Sequence, residues 1–138
     1  MILLDTNVLS EPLKSRPDPE VVAWLDAQES RTLYLTTVTV AEIRFGIAVL
    51  PAGKRREILD ERFEREVLPV FGGRILGFDE PATRSYAIVR SSARTRGRQM
   101  SDFDAVIAAI AHSRGLSVAT RDTAPFDAAE LPVINPFS

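Results

Sequence analysis

Five short runs of β-prone apolar residues, at 1–4, 33–36, 74–78, 116–120 and 132–134, are separated by longer stretches with helical periodicity. Antiparallel strands can be joined by tight turns, whereas parallel strands need a crossover, usually a helix. Strands alternating with helices therefore predict βαβ units, with a mostly parallel sheet covered on both faces. The expected architecture is a three-layer α/β/α sandwich. Helices are expected over 17–29, 39–50, 54–68, 81–95 and 101–114. Pro51-Ala52-Gly53, Gly97 and Gly115 supply the stops, and Pro81 opens a helix at a favoured early position. No repeat, low-complexity tract or long linker divides the chain, so residues 1–138 read as one domain.

Composition removes several kinds of chemistry. At 45% apolar and 26% charged residues the chain belongs among folded globular proteins, not disordered ones. No run approaches the ~18 consecutive apolar residues of a membrane span. The chain opens directly on a strand, without the basic start and cleavage site of a secretory signal, so the expected location is the cytoplasm. With no cysteine, disulfides, thiolate metal sites and thiol nucleophiles are excluded. With His112 as the only histidine, a metal-free ribonuclease built on a histidine pair is disfavoured. On its helix His112 falls nearly opposite Phe103, Ile110 and Arg114, which predicts a surface position.

What remains is carboxylate chemistry. Ligands of an open parallel sheet bind beyond the carboxyl ends of the strands. Asp5 ends the first strand and Asp122 lies just past the strand that ends at Thr120. Glu42 and Asp104 each fall in the expected first turn of a helix, and helices of βαβ units start at that same edge. Four acids distant in sequence are therefore expected on one rim. Clustered carboxylates raise one another's pKa unless a cation compensates. Hard divalent ions such as Mg²⁺ or Mn²⁺ take oxygen ligands and can orient water for attack on phosphorus. This pattern points to a metal-dependent nuclease.

Each acid also has a purely structural reading. Thr39-Val40-Ala41-Glu42 and Ser101-Asp102-Phe103-Asp104 both match capping boxes, and Asp5 and Asp122 suit turns. Those readings explain the acids separately but not their common edge. At ~100° per residue, Asp104 lies beside an expected buried stripe of Phe103, Ile107, Ile110 and Ala111. Asp102 falls toward the far side, so Asp104 is the expected ligand and Asp102 an outer helper. Net charge is −2, yet no acid interrupts residues 81–101, where Arg84, Arg90, Arg94, Arg96 and Arg98 fall. That stretch is either a phosphate-binding surface or a solvated face.

Taken together, Asp5-Thr6-Asn7 after an apolar strand, Thr39-Val40-Ala41-Glu42, Asp104-Ala105-Val106-Ile107-Ala108-Ala109 and Thr120-Arg121-Asp122 resemble the PIN-domain ribonucleases. Within them, residues 1–12 and Arg74-Ile75-Leu76 with Phe78-Asp79-Glu80-Pro81 are most similar to toxins of bacterial toxin–antitoxin pairs of the VapBC and FitAB type. The resemblance spans essentially the whole chain. It implies a parallel-stranded α/β/α sandwich, RNA cleavage dependent on Mg²⁺ or Mn²⁺, a homodimer, and a cognate small DNA-binding antitoxin laid across the site. Asp5, Glu42, Asp104 and Asp122 match the family's acidic positions. Thr6, Asn7 and Thr120 match its supporting ones.

Two other readings fit parts of the pattern. A haloacid-dehalogenase-like phosphatase also starts with an acid after the first strand, but it needs a second Asp two residues on, where this chain has Asn7. A catalytically silent binding module would use the fold to grip a partner, but it has no reason to retain four repelling acids.

Overall fold

The computed structural model describes residues 1–137. Its strands are β1 (Ile2–Leu4), β2 (Leu33–Thr36), β3 (Ile75–Leu76), β4 (Ser117–Ala119) and β5 (Val133–Ile134). They form one sheet in the order β3-β2-β1-β4-β5, and every neighbouring pair is parallel. β1 is central, with Leu3 in register with Tyr34 on one side and Val118 on the other. Seven helices lie among the described residues: α1 (Thr6–Ser10), α2 (Pro19–Ala27), α3 (Thr37–Ala48), α4 (Lys54–Arg62), α5 (Glu80–Thr95), α6 (Asp102–Arg114) and α7 (Ala124–Ala128). Among the described residues no helix is long and apolar enough to cross a membrane.

Because side chains alternate across a strand, β1 feeds two cores. Leu3 and Val118 pack with Val89 of α5, Ile107 and Ile110 of α6 and Phe126 of α7. Leu4, Leu35 and Ala119 face the opposite layer, with Val8 of α1, Val21 of α2, Ile43 of α3 and Phe63. This is the expected three-layer sandwich, with the strands buried on both faces as parallel sheets require.

Local chemistry explains the helix starts. Asp18, Asp79 and Ser101 accept backbone N–H bonds from Glu20, Ala82 and Asp104 at the starts of α2, α5 and α6. Gly115 ends α6 at φ 66°, a left-handed conformation that suits glycine.

Several expectations are corrected. The cap of α3 is Thr36, whose hydroxyl accepts from Thr39 N–H at 3.0 Å, so α3 begins at Thr37 and Glu42 lies beyond its first turn. The Thr39–Glu42 capping box therefore does not form. The expected helix over 54–68 stops being regular at Arg62 and continues as a π-helical turn over Phe63–Val67 and a 3-10 turn over Leu68–Phe71. Pro69, which lacks an N–H and crowds the preceding turn, bars a regular α-helix there. Both α1 and α7 escaped the sequence reading, since at five residues each is too short to show periodicity.

Phe103 does not join the buried stripe of α6; it is 57% exposed, whereas Ile107 and Ile110 are each 1% exposed. It lies in the first turn of α6. Phe126→Ala should therefore cost about 3–5 kcal/mol of unfolding free energy. Phe103→Ala should cost about 0.5 kcal/mol or less. Urea titration of both variants checks the contrast, and equal losses would contradict the burial pattern.

Candidate active site

Asp5 follows directly on the central strand, and its backbone N–H continues the ladder to Ala119 O at 2.9 Å. Its side chain is turned into the protein, leaving the residue 6% exposed. Oδ1 accepts the Thr6 N–H at 2.8 Å and caps α1. Oδ2 accepts the Thr120 hydroxyl at 2.8 Å, and Asn7 Nδ2 lies 3.5 Å from it. Burial nonetheless dominates, raising the Asp5 pKa from 3.8 to about 6. The bonds from Thr120 and Thr6 oppose that rise, whereas the nearby charges of Asp104 and Glu42 add to it.

The other acids reach this point by different routes. Glu42 is half-buried on α3, and Oε1 accepts the Thr6 hydroxyl at 2.7 Å. The same hydroxyl lies 3.2 Å from that of Thr39, which ties α1 to α3. Asp104 sits in the first turn of α6, half-buried, with its pKa raised chiefly by desolvation. The Ser101 hydroxyl lowers it, the charge of Asp122 raises it and that of Arg98 lowers it. Asp122 follows β4 in an exposed loop, with its N–H donated to Thr120 Oγ1 at 3.1 Å. Asp5, Glu42, Asp104 and Asp122 thus share the carboxyl edge of the sheet, where the charges of Asp104 and Glu42 act on Asp5 and that of Asp122 acts on Asp104.

Asp102 does not share it. Its side chain is 87% exposed and pairs with Arg90 at 2.9 Å, away from the Asp5 group. Asn7 bridges three elements: Nδ2 approaches both Asp5 and Thr120, and Oδ1 accepts the Arg121 N–H at 3.1 Å. That is a framework role, not the second acid a dehalogenase-like phosphatase needs at this position. His112 is exposed as expected, with Nδ1 2.8 Å from Ser85 Oγ.

The arginine-rich stretch separates into two groups. Arg90 is held by Asp102, the Tyr86 hydroxyl and Met100 O, and Arg96 by Glu130. Arg84, Arg94 and Arg98 form no ion pair among the described residues. Arg94 and Arg98 line one surface hollow with Arg90, Gln99 and Met100, and Arg98 is the member close enough to act on Asp104.

The donors at this edge are all oxygen, which suits a hard cation such as Mg²⁺ or Mn²⁺. Among the described residues no three acidic or histidine side chains form a ready-made cage. An ion that keeps several waters and takes one or two carboxylates does not require such a cage. Fit therefore rests on donor type and on the strained charge of Asp5.

Sequence and structural relatives agree with one another. The PIN domain profile matches residues 2–131. The chain is 56% identical over 137 residues to VapC ribonuclease Y4jK of Sinorhizobium fredii, covering 99% of this chain and 98% of that protein. It is 52% identical over 137 residues to toxin FitB of Neisseria gonorrhoeae, covering 99% of each. Among solved structures, FitAB bound to an IR36 DNA fragment matches with a TM-score of 0.96 at 51% identity, covering 100% of this chain and 96% of that one.

The raised pKa of Asp5 sets a sign for acid stability. The folded state holds this proton more tightly than the unfolded chain, so the Asp5 carboxylate costs no stability well below the unfolded value of 3.8. The cost grows as pH rises through the window from 3.8 to about 6. It levels off at about 3 kcal/mol above that window. In chelator, Asp5→Asn should flatten that loss, with Asp104 leaving a residual slope of the same sign. Thermal melting between pH 4 and 7 measures it, and identical slopes in wild type and variant would refute the assignment.

Proposed function

Because this chain belongs to the PIN domain family, alongside VapC and FitB toxins, we propose that it is an endoribonuclease dependent on Mg²⁺ or Mn²⁺. The observation that carries this reading is the buried Asp5 carboxylate, coupled to Glu42 and Asp104, in a chain with one histidine and no cysteine. Asp5, Glu42, Asp104 and Asp122 would hold the ion. Once bound, it would supply an activated water for attack on phosphorus and charge compensation for the leaving oxygen. The chain's own contribution is positional. Thr6 keeps Glu42 facing α1, and Thr120 and Asn7 keep Asp5 turned inward.

The proposal extends to the biological setting. The protein would be the toxin of a type II pair in the cytoplasm, acting as a homodimer restrained by a cognate DNA-binding antitoxin. The FitAB complex on DNA supports that reading by similarity. Arg94 and Arg98 would contact RNA phosphates beside Asp104, whereas Arg90 and Arg96 are engaged by Asp102 and Glu130.

Asp5→Asn and Asp104→Asn should each abolish cleavage of RNA in Mg²⁺, while Asp102→Asn should retain most of it. Mg²⁺ at about ten times its Kd should stabilise the wild type by about 1.4 kcal/mol, and Asp104→Asn by less. A wild type indifferent to both metals in melting and cleavage would sink the proposal. Replacing Arg94 and Arg98 together should lower the salt slope of RNA binding by about 0.7 for each phosphate no longer neutralised. An unchanged slope would return these arginines to a solvated face.

A further inference from the structure

Glu11 follows α1 and is 3% exposed, yet its Oε2 is buried without a hydrogen-bond partner. Leaving a carboxylate oxygen in that state costs free energy, so an apolar side chain of similar size would hold the position at lower cost. The charge must be offset by what the other oxygen does. Oε1 lies 3.0 Å from Lys14 Nζ and 3.5 Å from Arg121 Nη2. Lys14 reaches it from the same local turn, and among the described residues its ammonium pairs with no other acid. Arg121 is different.

Two distant parts of the chain, the segment 7–11 and the segment after β5, meet on Arg121. Its guanidinium carbon lies 4.0 Å from the centroid of the Phe137 ring, a cation–π contact to the segment after β5. Its backbone N–H donates to Asn7 Oδ1 at 3.1 Å, and its side chain is drawn toward Glu11. The next residue is Asp122, which is exposed and held through its N–H to Thr120. No hydrogen bond or ion pair fixes the Asp122 carboxylate among the described residues. Its direction is therefore set by the backbone on which it rides.

We propose that Glu11, Arg121 and Phe137 form a clasp that positions Asp122, with Glu11 as the positioning residue that keeps Arg121 in place. Glu11 itself touches neither substrate nor metal. Its charge holds one edge of the Arg121 guanidinium while the Phe137 ring supports its face, so the loop after β4 has a single resting geometry. In that geometry the Asp122 charge is felt by Asp104. The catalytic consequence rests on the metal-dependent ribonuclease reading; the clasp as a structural device does not.

Glu11→Met keeps length and removes both the charge and the buried unpaired oxygen, and Phe137→Leu removes the ring from the other side. Amide hydrogen exchange tests the clasp without reference to activity. In both variants exchange at Arg121 and Asp122 should quicken at least tenfold while Val118 of β4 stays protected. Unchanged exchange at Arg121 and Asp122 would overturn the clasp, and so would an equal loss at Val118, which marks general destabilisation. Cleavage of a labelled single-stranded RNA in Mg²⁺ tests the consequence. Glu11→Met should lower kcat by roughly tenfold or more, as loss of outer-shell support does. Its KM should change little. In an Asp122→Asn background the same replacement should have no further effect, since the group it positions is already gone. Equal losses in both backgrounds would refute positioning through Asp122. Should the wild type itself fail to cleave RNA, the ribonuclease reading falls and the exchange data alone decide the clasp.

Discussion

The structure turns on one carboxylate buried at the end of one strand. Asp5 extends the β1–β4 ladder through its N–H, caps α1 with one oxygen and receives Thr120 with the other. The bonds to its carboxylate favour the charged form, yet desolvation outweighs them and the pKa still rises. A group so well hydrogen-bonded and still uncomfortable when charged is one whose placement serves something other than stability. The surrounding elements are arranged about it. α1 starts on it, α3 is tied to it through Thr6 and Glu42, and the loop after β4 is tied to it through Thr120 and Asn7.

The supporting groups divide the work by kind. Hydroxyls and one amide, from Thr6, Asn7, Thr39 and Thr120, fix direction at short range without adding charge. Charged partners are kept farther out, on Asp102, Glu130 and Glu11, each paired with an arginine. Among the described residues Asp5 and Glu42 have no basic partner, while the charge of Arg98 still reaches Asp104. The same separation accounts for the uneven fate of the arginines on α5 and the turn after it. Arg90 and Arg96 meet an acid and are engaged in the framework, while Arg94 and Arg98 form no ion pair among the described residues and line a hollow that Arg90 shares.

Much of the fold was legible in the chain, because parallel strands buried on both faces must be continuous apolar runs and their crossovers must be helices. The cap at Ser101 was equally local. What local patterns misjudged were boundaries set by competition. Thr36 displaced Thr39 as the cap of α3 because its hydroxyl reaches the Thr39 N–H while its own backbone ends β2. Phe103 fits the helical period of a buried stripe, but a period says which side a residue is on and not whether a neighbour covers it. α1 and α7 form from five residues each because their supporting neighbours lie in the tertiary structure, not in any repeat of their own.

Sequence by itself determined the alternation of strands with crossover helices, the two-faced burial of β1 and β4, and the chemistry available: carboxylates and hydroxyls, with no thiol and a single histidine. It also pointed to Asp104 over Asp102, since side chains two positions apart on a helix point to nearly opposite sides whatever the partner is. Tertiary structure alone decided the degree of burial of Asp5, the bond from Thr6 to Glu42 and the engagement of Arg90 and Arg96. For the first two, hydrogen bonds across 36, 114 and 115 residues create the arrangement. The same is true of Glu11. In the sequence it is one acid after a short apolar turn, and only the approach of Arg121 and Phe137 from the far end of the chain gives its buried charge a purpose. The physical reason is that periodicity and capping are properties of neighbours along the chain. Desolvation and charge coupling depend on which distant groups exclude the water.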